Sequence, residues 1–330
     1  MECKINDNMS KDNMPKGKMS KKAKDEKIEK EEKEKKSGPG FISASQKIII
    51  LFVISQLIAL FVGIFLIANF SFFQNISITE KPSEPLEAFN IIFYIIIGAI
   101  ILIIVLKFSI IRDILILILE FFASIFSSFI VFFVFLIYFG VSHADLISIF
   151  LSISLYVLKF YSLTAKNLLA ILAAAGVGSI IGFSLDPFPV ILLLFLVSIY
   201  DIIAVWFTRH MVDFAKYFSK KRTIFTVSSV GMGEVEKLIE GKKKLVKKVI
   251  AMELGSGDIV LPASLAVSSV KFGDIIFPIF VIIGATIGLY LVIKRAERER
   301  KVYPAMPSIA IFSIFSLLFI ISIYYFLGWL

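Results

Sequence analysis

Apolar and polar positions alternate along this chain in long blocks rather than at helical or strand periodicity. After a polar stretch at residues 1–40, nine apolar segments follow: 47–70, 86–106, 114–139, 145–165, 167–185, 189–208, 249–270, 275–293 and 304–328. Each is close to the roughly 20 apolar residues that a helix needs to cross a bilayer. The pattern therefore predicts an all-α polytopic membrane protein with nine transmembrane helices. Residues 1–40 are rich in Lys, Glu, Asp and Asn and end at Ser37-Gly38-Pro39-Gly40. Such a segment buries too little surface to offset its ordering entropy, so it reads as a disordered tail preceding a membrane domain at 41–330.

Composition agrees with the blocks. The chain is 58% hydrophobic and its mean hydropathy is +0.89, above the roughly 45–50% apolar share of soluble domains. The net charge of +9 comes from the tail and from short loops, which is a topology signal and not a nucleic-acid footprint. Lys107, Arg112, Lys159, Lys166, the loop 209–248 and the group Lys294, Arg295, Arg298, Arg300 and Lys301 fall on one side. The opposite loops hold few basic residues, among them Lys81 and Lys271. The asymmetry predicts a cytoplasmic N-terminus, a cytoplasmic 209–248 loop and an extracytoplasmic C-terminus, in the cell membrane. In that loop 209–221 reads as an amphipathic helix and Thr223–Val227 as a strand-prone stretch.

Metal and thiol chemistry lack ligands. Cys3 is the single cysteine, and His143 and His210 are the two histidines, so neither an intramolecular disulfide nor a zinc protease site can be assembled. No metal or cofactor is expected. Gly178 with Gly182, and Gly284 with Gly288, form GxxxG pairs suited to close helix packing.

The informative residues are the acids inside the apolar blocks, since an ionised carboxylate at the bilayer centre costs about 2.5–3.5 kcal/mol even on lenient scales. These are Glu120, Asp201, Glu253 and Asp258. Glu120 and Lys159 fall at similar depth and read as a structural ion pair. Asp201 lies eight residues before Arg209, and Asp258 ten residues after Lys248, on consecutive antiparallel segments. If both are helical, the acids sit roughly 12 and 15 Å from the same boundary. Two adjoining carboxylates share a proton, so one serves as general base and the other as general acid. Peptide hydrolysis needs that pair and no metal. A proton- or cation-coupled transporter or channel would use a similar pair and is the alternative.

Tyr200-Asp201, Gly255-Ser256-Gly257-Asp258 and Pro304-Ala305-Met306, in this order on the sixth, seventh and last predicted spans, resemble the YD, GxGD and PAL motifs. These mark the presenilin and signal peptide peptidase family of intramembrane aspartyl proteases, and the chain looks most like its archaeal members. The resemblance implies a presenilin-like nine-span fold and catalytic roles for Asp201 and Asp258. It also implies that Tyr200, Gly255, Ser256, Gly257, Pro304, Ala305 and Met306 shape the site or bind substrate, and that the substrates are transmembrane or signal-peptide helices in the lipid bilayer. Ser256 stands where the family more often has a large apolar residue, at a position linked to substrate choice. Met306 replaces the usual Leu. A catalytically weak pseudo-protease that binds hydrophobic helices is a further alternative, supported by Ser256. The predicted orientation is that of presenilins. The sequence leaves the oligomeric state and natural substrate open.

A substrate helix must unwind before cleavage, and its freed backbone groups need partners. The stretch Lys247 to Leu254, with its β-branched pair Val249-Ile250, could offer a strand edge for them, with Ile250 as the expected donor.

Overall fold

The structure is a computed structural model that describes residues 44–79, parts of 82–101, and 109–203, 223–239, 242–299 and 303–328. The tail at 1–40 and the expected amphipathic helix at 209–221 lie outside the described residues. Helices form where the apolar blocks predict them: α1 (Ala44–Ala68), α2 (Ser109–Tyr138), α3 (Ala144–Leu158), α4 (Leu163–Ser184) and α5 (Pro187–Ile202). A hairpin of β1 (Thr226–Ile239) and β2 (Lys242–Gly255) comes next, then α6 (Gly257–Ser269), α7 (Ile276–Glu299) and α8 (Met306–Phe326). Described residues between 85 and 101 are helical as well.

Five of these helices, α1, α2, α4, α7 and α8, are long and apolar enough to cross a membrane; α3 and α5 are shorter apolar helices. The exposed faces carry large apolar side chains such as Phe122, Phe126, Phe150, Phe195, Ile311 and Phe315. Water would not favour that surface, and hydrocarbon would.

The expected seventh span, 249–270, is corrected. Its first part is strand β2, and helix begins only at Gly257. At 13 residues, α6 is about 20 Å long, short of a roughly 30 Å hydrocarbon core. Gly255 and Gly257 flank the change from strand to helix, and Pro262 sits inside α6.

α6 is nonetheless the centre of the bundle, packed by α4, α1, α7, α5 and α8. The two GxxxG pairs explain part of this. A Cβ on Gly178 would stand 2.8 Å from Ala263 Cβ, and one on Gly182 would strike Ser264 O and Val267, so both glycines let α4 approach α6. A Cβ on Gly288 would stand 2.7 Å from Ser308 O, and one on Gly284 would strike Phe312 O and Ser316, which seats α7 on α8. Serine hydroxyls add cross-links: Ser55 donates to Ile171 O at 3.1 Å and Ser179 to Ala59 O at 2.9 Å, joining α1 to α4.

At the end of the bundle away from the hairpin, polar loop contacts tie the helices. Lys271 pairs with Asp186 at 3.0 Å and donates to Leu185 O at 2.8 Å, and Ser83 donates to Asp186 at 2.9 Å.

Candidate active site

The YD motif lies at the end of α5. Tyr200 and Asp201 are both half-buried there, two residues from the last helical position that the structure describes, Ile203. The GxGD motif is the strand-to-helix junction. Gly255 closes β2, Ser256 caps α6, Gly257 opens it, and Asp258 is its second residue. Pro304, Ala305 and Met306 lead into α8, with Ala305 and Met306 buried. The three motifs meet. Asp201 is near enough to Asp258 for its charge to act on it, and Asp201 Oδ2 accepts a hydrogen bond from the Met306 backbone N–H at 3.3 Å.

That last contact gives the third motif a physical role. The first N–H groups of a helix have no intrahelical acceptor and carry the positive end of its dipole. Met306 is the first residue of α8, so Asp201 sits at such an end. Pro307 follows at the second position, where its missing N–H costs nothing. The Met306 side chain packs in the same apolar cluster as Val197 of α5 and Leu261 and Leu265 of α6.

At the GxGD junction each residue has a distinct part. The Gly255 N–H donates to the Asp258 carboxylate. A Cβ on Gly255 would lie 3.2 Å from Asp258 Oδ2, so a side chain there would crowd the acid. Ser256 extends the hairpin by donating its N–H to Phe225 O at 2.9 Å, and its own carbonyl starts α6 by accepting from Ile259 and Val260 at 3.0 Å each. Gly257 is exposed, with no atom within 4 Å of a Cβ built on it. Because Asp258 follows a strand and not a helix, the helical depth of about 15 Å expected for it does not apply; a strand rises about 3.3 Å per residue.

The hairpin is held by buried polar side chains that an inspection limited to acids passes over. Asn167 of α4 donates through Nδ2 to Ser228 O at 2.6 Å and accepts from Ser228 N at 3.0 Å. Lys166, almost wholly buried, donates to Thr226 O and to Ser228 Oγ at 2.7 Å. Glu253 faces this group, accepting from Ser228 Oγ at 3.5 Å. Glu120 and Lys159 form the expected ion pair, at 2.7 Å with both side chains buried, and Glu120 also accepts from Ile224 N at 2.7 Å. A lysine and an amide at the start of an apolar helix were the available signals.

These contacts also decide which backbone groups of β2 face away from β1. Thr226 lies opposite Gly255, and Ser228 opposite Glu253. Asn167 takes both backbone groups of Ser228, so these point away from β2. In an antiparallel ladder opposing residues alternate between bonded and non-bonded pairs. The backbone groups of Glu253 therefore point away from β1, as do those of Ala251 and Val249. Gly255 obeys the same parity, since its N–H goes to Asp258. Ile250 lies opposite Gly231 in a bonded pair. The expectation that Ile250 is an edge donor is thus corrected: its N–H faces β1, and the outward groups are those of 249, 251 and 253.

The family model of signal-peptide peptidase, presenilin aspartyl protease matches residues 49–325. The chain belongs to this family. It is an intramembrane aspartyl protease, a hydrolase embedded in the membrane. Two solved structures, both described as a presenilin family intramembrane aspartate protease, share the protease's fold. One, in space group C222, aligns with a TM-score of 0.54 at 18% identity, over 82% of this chain and 94% of the other. The second, in space group P2, gives 0.53 at 22% identity over 80% and 94%. No curated protein matches the chain. The match of the family model spans all three motifs of the protease.

Proposed function

We propose that Asp201 and Asp258 are the catalytic dyad of this protease and that it hydrolyses peptide bonds in transmembrane or signal-peptide helices. The observation that carries the reading is that Asp201 accepts from the Met306 N–H and lies within electrostatic range of Asp258, so that three separate elements bring their motifs together. In this mechanism the dyad holds one proton. The ionised carboxylate takes a proton from water as its oxygen bonds to the scissile carbonyl carbon, while the protonated carboxyl donates to the carbonyl oxygen. The tetrahedral intermediate collapses when the nitrogen receives a proton and the C–N bond breaks, leaving a carboxyl and an amine. No metal or cofactor takes part. The same acids in a transporter would need no hydrolytic family membership, so that alternative is set aside.

The substrate enters as a strand on the open edge of β2. An unwound segment exposes N–H and C=O groups that cost several kcal/mol each, in the range of about 2–7, when left bare in an apolar site. The outward groups of residues 249, 251 and 253 can pair them, and the next outward group, Gly255 N–H, is already bound to Asp258. A strand laid along that edge runs to the dyad. On this reading Ser256, Gly257, Pro304 and Ala305 line the cavity, and Tyr200 borders it.

The reading extends to topology. The reading keeps nine membrane segments, the seventh being the short helix α6 behind its strand, with a cytoplasmic N-terminus and hairpin, an extracytoplasmic C-terminus and a place in the cell membrane; the one-sided distribution of Lys and Arg in the loops supports it. The deciding experiment is cleavage of a model transmembrane substrate by purified protein. Asp201→Asn and Asp258→Asn should each abolish it with folding intact, and near-parental cleavage by either would overturn the assignment. A cysteine placed at Ser219 should be shielded from an impermeant reagent applied outside intact cells.

A further inference from the structure

Gln56 lies in the middle of α1, among Ile, Leu and Phe residues, and has no solvent exposure. Its Nε2 donates to the backbone carbonyl of Ile259, the residue after Asp258, at 3.0 Å. Its Oε1 has no hydrogen-bond partner among the described residues. A buried amide with one end used and one end bare is a poor way to stabilise a helix pair, because an apolar side chain of the same size would fill the space without the bare oxygen. The bond it does make falls on the turn of α6 that carries Asp258.

That turn needs outside support. Pro262 lacks an N–H, so the Asp258 carbonyl loses the intrahelical donor it would otherwise have, and the proline ring pushes against the same turn. Such a turn is tolerated within a membrane where a neighbouring helix supplies the missing bonds. α1 braces this turn at the adjoining carbonyl, that of Ile259, and not at the Asp258 carbonyl itself. A Cβ on Gly63 would strike Val267, so α1 and α6 are in close contact, and Gln56 lies on the buried side of α1 with Ser55, Ala59 and Gly63.

We propose that Gln56 is a positioning residue of the protease: by holding the Ile259 carbonyl it fixes the first turns of α6, and with them the direction of the Asp258 carboxylate. The inference rests on Asp258 being catalytic. It assigns a role to the first span, which none of the three motifs reaches.

The test uses Gln56→Met, which conserves volume and removes the donor, alone and combined with Pro262→Ala. Two readouts are made on purified full-length protein. In cleavage of a model transmembrane substrate, kcat should fall about ten- to a hundredfold, the scale of a small misplacement at a reacting group, with KM within about twofold. In amide hydrogen exchange, residues 257–263 should exchange faster in Gln56→Met than in the parent while the rest of α6 and α1 do not. In the Pro262→Ala background the same substitution should change that exchange little. Parental kcat with parental exchange in 257–263 overturns the proposal, and so does faster exchange spread over the whole bundle, which marks a packing role. The exchange arm does not depend on turnover, so an error in the catalytic assignment and an error in the role of Gln56 give different results.

Discussion

The backbone N–H of Met306 donates to Asp201 Oδ2 at 3.3 Å across 105 residues of sequence. The contact belongs to the main chain, so the side chain at 306 is free to differ so long as it fills the same space. Met306→Leu should keep cleavage within about twofold of the parent and cost less than about 1.5 kcal/mol of stability, as volume-conserving apolar exchanges do. Met306→Pro removes the donor at a helix position where proline is accepted. Since hydrogen bonds to charged groups are worth about 1.5–3 kcal/mol, kcat should fall roughly ten- to a hundredfold. Steady-state kinetics of the two variants side by side checks both expectations; equal activity would show that the N–H does nothing for Asp201.

The two glycines before Asp258 should respond differently. A methyl group on Gly255 would come within 3.2 Å of Asp258 Oδ2, whereas one on Gly257 meets nothing within 4 Å. Gly255→Ala should therefore lower kcat with little loss of thermal stability. Gly257→Ala should leave kcat closer to the parent, and should stabilise by about 0.4–1 kcal/mol through the unfolded chain if its backbone suits alanine. A Gly257→Ala variant more damaged in kcat than Gly255→Ala would contradict this account.

The acids were legible in the sequence because a charge inside an apolar block is costly and therefore rare. Glu120, Asp201, Glu253 and Asp258 stood out on that ground, their places on consecutive segments singled out the two aspartates, and the GxGD glycines and the prolines around 304 marked irregular backbone. Strand β2 was half legible. Val249-Ile250-Ala251-Met252 is a short apolar run, and such a run does not distinguish a strand from the start of a helix. What decides it is tertiary: Lys166 and Asn167 on α4 bind the backbone of β1, which then pairs with β2. Gln56 escaped notice for another reason. An uncharged amide in a span costs less than a carboxylate, and its partner carbonyl lies 203 residues away.

The buried pair of Glu120 and Lys159 should matter for folding more than for chemistry. Glu120 binds both Lys159 Nζ and Ile224 N, where the chain enters β1. Glu120→Ala leaves a buried ammonium unpaired and should destabilise by about 3–5 kcal/mol, while replacing both residues by apolar ones of similar volume should cost much less. Thermal unfolding in detergent measures this. A single substitution no worse than the double would show that the pair is not electrostatically closed.

The strand edge supplies the sharpest contrast, because two neighbouring positions point opposite ways. The N–H of Ala251 points away from β1, and that of Ile250 points into the ladder opposite Gly231. Proline removes one donor at either place and is tolerated on an edge better than within a ladder. Ile250→Pro should loosen the hairpin itself, so exchange at its paired amides should rise and activity should fall as a consequence. Ala251→Pro should leave those paired amides protected and still cut cleavage strongly, because the lost donor is one that the substrate strand would use. It should also weaken binding of an extended peptide mimic more than binding of an intact substrate helix. If Ala251→Pro cleaves at the parent rate with its hairpin intact, substrate does not add to β2, and its freed backbone groups must be satisfied by water or by side chains around Asp201 and Asp258.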